Sequence, residues 1–193
     1  GVIGLFFYGW TVLCEKLAIG NVCYALIGAA IPLMISGGFH VDGYMDTMDA
    51  FHSYQSREKK LEILKDSHIG AFAAIMLALY YMIDIAAISE IHTQKAVSAL
   101  AAVFFLARCF SGIAVMTLQP AKKEGLLYTF ASSAQKVRVK AALYFQAALC
   151  VVLMLLVSGW YGAAAIGAAL LSFFYFKKKS YKELGGITGD TAG

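Results

Sequence analysis

The chain has 193 residues, of which 60% are hydrophobic and only 15% are charged. Soluble domains average roughly 45–50% apolar and about 25% charged residues, so this composition excludes an ordinary soluble domain and a disordered chain. The net charge of +4 raises nucleic acid as a partner, but cytoplasmic loops of membrane proteins carry the same basic excess. We therefore expect an integral membrane protein, with the lipid bilayer as its surroundings and no nucleic-acid partner.

Six apolar stretches approach or reach the length of about 20 residues that a membrane-spanning helix requires. In chain order they are residues 1–13, 17–36, 69–89, 96–118, 141–157 and 161–176. The last two belong to one apolar run, which Ser158-Gly159-Trp160 divides into a hairpin. The prediction is an all-α, polytopic helical bundle of about six transmembrane helices, with residues 1–193 forming one membrane-embedded domain.

The basic residues predict the orientation of this bundle. Most of the 16 Lys and Arg residues fall in segments that alternating spans place on one side, namely 37–68, 119–140 and 177–193. Under the positive-inside rule that side is cytoplasmic. The same three segments contain five aspartates, which are Asp42, Asp46, Asp49, Asp66 and Asp190. Acidic side chains are therefore expected to gather at the cytoplasmic face.

The polar segment after the second span contains Asp42, Asp46 and Asp49. On a helix this i, i+4, i+7 spacing places three carboxylates on one face, over roughly 10 Å of the axis. A position near a helix N-terminus explains Asp42 and Asp46, but it does not explain Asp49, and like charges so spaced destabilise a helix. Oxygen-only ligands favour a hard cation, so we predict that the three aspartates bind Mg²⁺ beside a phosphate group.

The next segment, residues 56–68, predicts a short interfacial helix. Ser56 is a suitable N-cap, and Leu61 and Leu64 form a narrow apolar edge. Lys65 and Asp66 close this helix where the third span begins. Two interpretations carry equal weight. In the first, Lys65 contacts a phosphate and Asp66 is a metal ligand or a general base. In the second, the two residues are an ordinary charged pair at the membrane interface.

Two further features indicate anion binding. Arg108 lies about ten residues, roughly 15 Å, from the cytoplasmic end of its predicted span, where charged side chains usually face a cavity or a partner. Near the end of the chain, Thr188 and Asp190 lie in a glycine-rich loop that suits a phosphate or a metal-bound water. Taken alone, such a loop also fits a flexible terminus. Asp84, at the outer end of the third span, is expected to make an interhelical contact.

Three motifs together resemble the cobalamin synthase family, the adenosylcobinamide-GDP ribazoletransferases. They comprise residues 37–49, residues 57–72 around Lys65-Asp66-Ser67-His68, and Gly185-Gly186-Ile187-Thr188-Gly189-Asp190. Pro120 with Glu124-Gly125-Leu126 resembles a further motif of the family. The match covers most of the chain and departs from the pattern at Met48 and at Ala50-Phe51-His52. It also implies that the family's N-terminal helix and a final span are missing from this sequence.

The resemblance implies a multi-pass enzyme of the cytoplasmic (inner) membrane, with one catalytic domain, that acts late in cobalamin (vitamin B12) biosynthesis. It would transfer adenosylcobinamide phosphate from adenosylcobinamide-GDP to α-ribazole or its 5′-phosphate, release GMP and require Mg²⁺. The site residues carried over are Asp42, Asp46 and Asp49 for the metal, Asp66, Lys65 and Asp46 for catalysis, and His40, Arg108, Thr188 and Asp190 for substrate. A homo-oligomer stays an open possibility.

Two other functions compete with this interpretation. CDP-alcohol phosphotransferases also place aspartates at the cytoplasmic membrane face, but their Ala-Arg pair after the first Asp-Gly is absent from this sequence. A cation transporter would carry acidic residues near the bilayer midplane, often in broken helices, whereas the acids here cluster at one interface apart from Asp84. A purely structural membrane protein would leave the three-aspartate face unexplained.

Overall fold

The computed structural model describes residues 1–66, 68–122 and 136–192, in which the chain forms nine helices and no β-strand. The helices are α1 (Val2–Leu17), α2 (Asn21–Ser36), α3 (Phe39–His52), α4 (Arg57–Ile63), α5 (Ala71–Ser89), α6 (Gln94–Thr117), α7 (Lys136–Ser158), α8 (Trp160–Leu184) and α9 (Gly189–Ala192). The Glu124-Gly125-Leu126 motif and Ser67 lie outside the described residues. The predicted all-helical bundle is confirmed.

Helix α6 lies at the centre of the bundle and contacts α1, α7, α8 and α9. One core joins α1, α2, α5 and α6 around the fully buried Phe7 and Val97. A second core joins α6, α7 and α8 around Leu106 and Met154. Large apolar side chains such as Leu156 nevertheless stay exposed on the outer surface. Such a surface is typical of helices that are surrounded by lipid rather than water.

Three helices are long and apolar enough to cross a membrane by themselves: α5, α6 and the segment Val137–Ser158 of α7. Helices α2 and α3 pass the same test only as a pair that is bent by 96°. Helices α1 and α2 have 16 residues each, and α8 carries lysines in its last two turns. All six predicted apolar stretches thus form helices, but the described residues support three or four spans, and the predicted count of six is not confirmed.

Two predicted local features are confirmed by the backbone. Helix α7 ends at Ser158 and α8 begins at Trp160, with Gly159 at φ 57° between them, so the long apolar run is a helical hairpin. At the start of α4, the Ser56 hydroxyl accepts a hydrogen bond from the Lys59 N–H at 3.4 Å, as expected of an N-cap.

The turn between α2 and α3 is made by two glycines. Gly37 and Gly38 have φ values of 62° and 83°, a region that other residues enter only with strain. The resulting bend directs α3 across the end of the bundle instead of continuing the apolar helix. Because α3 carries three aspartates in 14 residues, we treat it as lying outside the membrane-spanning segments.

The described parts of the three basic segments meet at this same end of the bundle. Helix α3 contacts α4 and α9, and α4 contacts α8. The Lys122 ammonium donates to the Leu61 carbonyl at 2.7 Å, and Pro120 pairs with Ile187 in an isolated parallel bridge. This arrangement agrees with the sequence-based prediction that the three basic segments lie on the same side of the bundle.

Candidate active site

Helix α3 presents an acidic row beside its packed face. The residues buried on α3 are Gly43, Thr47 and Ala50, and each of them directly follows an aspartate of the i, i+4, i+7 series. One residue rotates a helix by about 100°, so the acidic row borders the packed face along its whole length. The three carboxylates are therefore held beside whatever packs against α3.

Helix α9 packs against this row, which brings Asp190 to Asp42 and Asp46. A Cβ atom at Gly43 would lie 3.1 Å from both the Cα and the carbonyl oxygen of Asp190, so a side chain there would require α9 to shift by a few tenths of an ångström. The loop before α9 is fixed by backbone hydrogen bonds from Ile187 N–H to the Gln119 carbonyl (2.9 Å) and from Ala121 N–H to the Ile187 carbonyl (2.8 Å).

A hydrogen bond from the end of α9 to the central helix completes this attachment, since the Ser111 hydroxyl of α6 donates to the Ala192 carbonyl. Within the loop, Thr188 Oγ1 accepts the Thr191 N–H at 3.2 Å, and Thr191 Oγ1 accepts the Thr188 N–H at 2.8 Å. The predicted substrate residue Thr188 therefore also shapes the turn that presents Asp190.

Asp42, Asp46, Asp49 and Asp190 form what we call the four-aspartate group, because their charges act on one another. Burial, followed by the charges of Asp42, Asp190 and Asp49, raises the pKa of Asp46 to about 6. Burial is also the main cause that raises the pKa of Asp190, with a further contribution from Asp42 that the charge of Lys122 offsets. Like charges held together in this way favour the binding of a cation.

Asp49 is engaged differently from the other members of the group. Its Oδ2 atom accepts the Gly70 N–H at 2.7 Å, and its Oδ1 atom accepts the Ala73 N–H at 2.9 Å. These donors belong to the first turn of α5, whose own N-cap residue, Gly70, supplies no capping side chain. Asp49 thus caps α5 from another helix.

The donor set of the group is chemically suited to Mg²⁺, since it consists of carboxylate oxygens. Each oxygen of Asp49 already accepts a hydrogen bond, which leaves Asp42, Asp46 and Asp190 as the better candidates. Across residues 1–66, 68–122 and 136–192, no three acidic, histidine or cysteine side chains surround a common point close enough to hold a metal ion. The fit of the four-aspartate group to Mg²⁺ therefore rests on the carboxylate type of its ligands and on their shared negative charge.

His40 and Arg108 are brought together at the start of α3. The Arg108 guanidinium donates to the His40 ring, with Nη1 lying 2.9 Å from Nε2. Burial and the neighbouring Arg108 charge lower the pKa of His40, which keeps the imidazole neutral and able to accept this hydrogen bond. None of the ion pairs among the described residues involves Arg108, so its charge is available to an anionic ligand.

Lys65 and Asp66 lie at the exposed surface after α4. Asp66 Oδ1 lies 2.6 Å from His68 Nδ1 and also accepts the His68 N–H at 3.0 Å. These hydrogen bonds lower the pKa of Asp66, which makes it a weaker base. The charges that act on Asp46 come from the four-aspartate group and do not include Asp66.

Three cavities surround the His40–Arg108 pair and α9. The largest, about 800 Å³, lies between α6 and α8 and reaches Arg108 and Thr191. A second of about 310 Å³ is lined by both members of the pair, and a third of about 200 Å³ reaches His40, Asp190 and Thr191. Because the cavities share lining residues, they form adjoining spaces around one polar centre.

Sequence reasoning missed several residues of this region. Gly43 and Ser111 fix the position of α9, and the buried hydroxyls of Thr47 and Ser180 line the third cavity. Single Ser, Thr and Gly residues in helices carry no pattern that would single them out. The capping role of Asp49 does have a signal. Gly70, the N-cap residue of α5, has no side chain to cap the helix, which indicates that the cap comes from elsewhere in the chain.

Comparison with known proteins places these residues in context. The family model described as cobalamin-5-phosphate synthase matches residues 1–193. The chain is similar to an adenosylcobinamide-GDP ribazoletransferase of Lachnoclostridium phytofermentans, with 41% identity over 192 residues that cover 100% of this chain and 73% of that protein. Proteins of the same name from Clostridium botulinum strains Eklund 17B and Alaska E43 are 33% and 30% identical, with 100% of this chain and 76% of each relative covered. No solved structure matches the chain.

Proposed function

Since the chain belongs to the cobalamin-5-phosphate synthase family and is therefore a transferase, we propose that it is an adenosylcobinamide-GDP ribazoletransferase of cobalamin synthesis. In the proposed reaction, a ribose hydroxyl of α-ribazole or its 5′-phosphate attacks the phosphorus that bears adenosylcobinamide. A new P–O bond forms, the bond to the bridging oxygen of the diphosphate breaks, and GMP leaves. The hydroxyl proton passes to a carboxylate.

One observation carries this proposal: Asp190 of α9 lies against the acidic row of α3, although the two are far apart in sequence. Displacement at a diphosphate depends on charge neutralisation and alignment more than on covalent catalysis. A group of carboxylates that repel one another can bind the neutralising cation, and Arg108, which pairs with His40 on the same helix as three of them and has no carboxylate partner among the described residues, can align a phosphate.

We assign Asp42, Asp46 and Asp190 as the residues that would hold Mg²⁺. When bound there, the metal supplies positive charge that neutralises the diphosphate of the donor. Asp49, also predicted as a ligand, is assigned to the N-terminus of α5, from where its charge still acts on Asp46. This division of roles accounts for both the repulsion within the group and the hydrogen bonds of Asp49.

The proton of the attacking hydroxyl is assigned to a member of the four-aspartate group rather than to Asp66. Asp66 is hydrogen-bonded to His68 at the exposed surface, whereas Asp46 is partly buried and its pKa is raised by burial and by the charges of Asp42, Asp190 and Asp49. Arg108, held by neutral His40, would bind phosphate oxygens, and Thr188 orients the loop of Asp190. Lys65 stays a predicted phosphate contact.

The three apolar helices indicate a membrane-embedded protein. We further propose that the end carrying α3, α4 and α9 faces the cytoplasm. Basic residues concentrate there, including Lys60 on α4 and Lys179 on α8, as the positive-inside rule requires. Both nucleotide-derived substrates would then reach the site from the cytoplasm, with the largest cavity receiving the bulky donor.

The direct test is turnover by the purified chain in detergent or liposomes, given adenosylcobinamide-GDP and α-ribazole. We expect one GMP released for each cobalamin product, and we expect chelation of divalent cations with EDTA to stop the reaction until Mg²⁺ is restored. The 5′-phosphate of α-ribazole, supplied in parallel, identifies the preferred acceptor. Chromatography with ultraviolet detection measures both products.

CDP-alcohol substrates serve as the matched comparison. Release of CMP from them, without GMP release from adenosylcobinamide-GDP, would reassign the chain to the other class of phosphotransferase. Undiminished turnover in EDTA would refute the metal assignment alone. Restoration of cobalamin production in a bacterial strain that lacks its own ribazoletransferase tests the same function in a cell.

A further inference from the structure

Helix α4 turns one face toward the end of α8 and the turn that follows it. Arg57 and Lys60 are three residues apart, so their side chains leave α4 on the same side. Lys60 pairs with Glu183 near the end of α8. Arg57 reaches the turn, since a Cβ atom at Gly185 would overlap with the Cζ, Nη1 and Nη2 atoms of Arg57. Cζ is the nearest of the three and both nitrogens are almost as close, so the flat face of the guanidinium lies against Gly185.

The turn that Arg57 covers has few restraints of its own. Gly185 ends α8 with φ at 71°, and Gly186 follows it, so no side chain limits the backbone at either position. Gly186 is buried against a neighbouring segment, because a Cβ atom there would lie 2.5 Å from the Gln119 carbonyl oxygen and 2.8 Å from the Ala121 nitrogen. The turn thus has two neighbours that can restrain it, which are this backbone segment and the Arg57 guanidinium.

The position of this turn affects where Asp190 lies. Only three residues separate Gly185 from α9, which spans four residues and contains Asp190. A helix of one turn has little stability of its own, so its position depends on its attachments. The backbone hydrogen bonds of Ile187 hold the loop at its middle, and the contact with Arg57 holds its beginning.

The charge of Arg57 is not explained by an ion pair. None of the ion pairs among the described residues includes Arg57, whereas Lys59 on the same helix pairs with Glu62. A guanidinium is planar and weakly hydrated, which suits a flat contact with the backbone of a glycine turn, whereas an ammonium is a compact and strongly hydrated charge. The contact at Gly185 therefore depends on the shape of the arginine side chain.

We propose that Arg57 is a positioning residue for the four-aspartate group, whose guanidinium holds the Gly185-Gly186 turn and thereby keeps the Asp190 carboxylate beside α3 for cation binding. This inference rests on the proposed function, which assigns Asp190 to the metal. It also gives the motif at residues 57–72 a role that does not involve chemistry, since this motif then supports the motif that carries Asp190.

The first test follows the loop by hydrogen–deuterium exchange, without substrate or metal. In Arg57→Ala, peptides that cover residues 186–192 should exchange faster than in wild type, because the turn has lost one of its two restraints. Arg57→Lys should behave like Arg57→Ala, since an ammonium cannot replace the flat contact. Lys59→Ala, which removes a charge from an exposed position of the same helix, is the matched control and should exchange like wild type. Wild-type exchange in either Arg57 variant would overturn the proposal.

The second test measures cation binding to the substrate-free protein. Mn²⁺ serves as the probe, and electron paramagnetic resonance counts the unbound ion. Loss of a residue that orients a metal ligand typically weakens metal binding roughly 10–100-fold, so we expect Kd for Mn²⁺ to rise about tenfold in Arg57→Ala and in Arg57→Lys. Lys59→Ala should keep the wild-type Kd. An unchanged Kd in Arg57→Ala would refute the positioning role, and full rescue by Arg57→Lys would show that charge alone suffices and would refute it too.

Gly185→Ala displaces the guanidinium by a second route, since the new methyl group would occupy its place. This variant also strains the turn, so it serves as a background for Arg57→Ala. In that background, the loss of Arg57 should cause no further rise in Kd for Mn²⁺ and no further gain in exchange. A further change as large as the one in wild type would show that Arg57 acts from elsewhere and would overturn the proposal.

Neither measurement depends on turnover. If the wild-type chain releases no GMP, the proposed function fails, and the exchange and Mn²⁺ results still decide the role of Arg57. If wild type binds no Mn²⁺, the positioning of Asp190 for a cation is refuted. Because Arg57 is exposed, its variants should melt close to the wild-type temperature, which excludes global unfolding as the cause of faster exchange.

Discussion

Charged side chains gather at two places on the same end of this molecule, and their surroundings are opposite. On α4 and α8, the buried Lys60 pairs with Glu183, which Lys179 also contacts at 3.2 Å. In the four-aspartate group, carboxylates of like sign act on one another. The pKa of Glu183 is lowered, chiefly by its hydrogen bond from Lys60, whereas the pKa of Asp46 is raised to about 6.

The comparison separates structural charge from functional charge. Opposite charges buried together attach α4 to the end of α8 and require no further ligand. Like charges held together oppose folding unless another group neutralises them, so their presence is explained by what they bind. Substitutions at the two places should accordingly have opposite consequences for stability and for turnover.

The largest expected effect is on turnover, from Asp46→Asn. Loss of this carboxylate should remove several kcal/mol of transition-state stabilisation, which corresponds to about a thousandfold loss of kcat. The melting temperature should stay the same or rise, because one of the repelling charges is gone. Glu62→Gln, at an exposed position on α4, is the control and should keep wild-type turnover. Near-normal turnover of Asp46→Asn with undiminished Mg²⁺ dependence would refute the assignment of the group.

The second effect is on stability, from Lys60→Ala. Removal of the Lys60 ammonium leaves the partly buried Glu183 carboxylate with Lys179 as its remaining partner, and the loss of one hydrogen bond to a charged group costs about 1.5–3 kcal/mol. Thermal unfolding in detergent should show a clear drop in melting temperature, while kcat of the folded fraction stays close to wild type. Lys59→Ala breaks an exposed pair with Glu62 and should cost about 0–1 kcal/mol. Equal losses for the two variants would contradict the comparison.

Much of the fold could be predicted because it depends on local sequence. Apolar length predicts the six helical stretches, Gly159 marks the hairpin, and Ser56 marks the start of α4. The number of spans could not be predicted in the same way. Whether a helix crosses a membrane depends on its final length and its ends, and α2 stops after 16 residues at a glycine turn.

The site could be predicted only in part, for a similar reason. The spacing of Asp42, Asp46 and Asp49 defines one helical face without any tertiary information. The approach of Asp190 depends instead on long-range packing at Gly43. The capping role of Asp49 depends on N–H groups of α5, 21 and 24 positions away. The missing capping side chain before α5 indicates that a cap is needed, but no local pattern identifies Asp49 as the residue that provides it.

Substitutions at Asp49 should have a smaller effect on stability. They test whether this member of the four-aspartate group has a structural role while the others bind the metal. Asp49→Ala removes the acceptor of two N–H groups at the start of α5 and should cost about 1–2 kcal/mol of stability. Asp49→Asn keeps one acceptor oxygen and should cost less, with turnover near wild type. Thermal unfolding and kcat at saturating Mg²⁺ measure both. A melting temperature that is unchanged in Asp49→Asn, together with lost turnover, would make Asp49 a metal ligand instead.

The smallest effect is the pH dependence of the Lys60–Glu183 pair. Because folding lowers the pKa of Glu183 below its ordinary 4.5, the pair contributes fully above that pH and loses its contribution as the pH falls. Between pH 6 and pH 4 this loss is under about 1 kcal/mol, since the unfolded carboxyl is only partly protonated at pH 4. Asp46 acts in the opposite direction in cation-free buffer, because its raised pKa makes the folded state more stable as the pH falls through about 6. The difference between the melting curves of wild type and Glu183→Gln isolates the first contribution, and parallel curves from pH 6 to pH 4 would show that the pair does not titrate as its surroundings require.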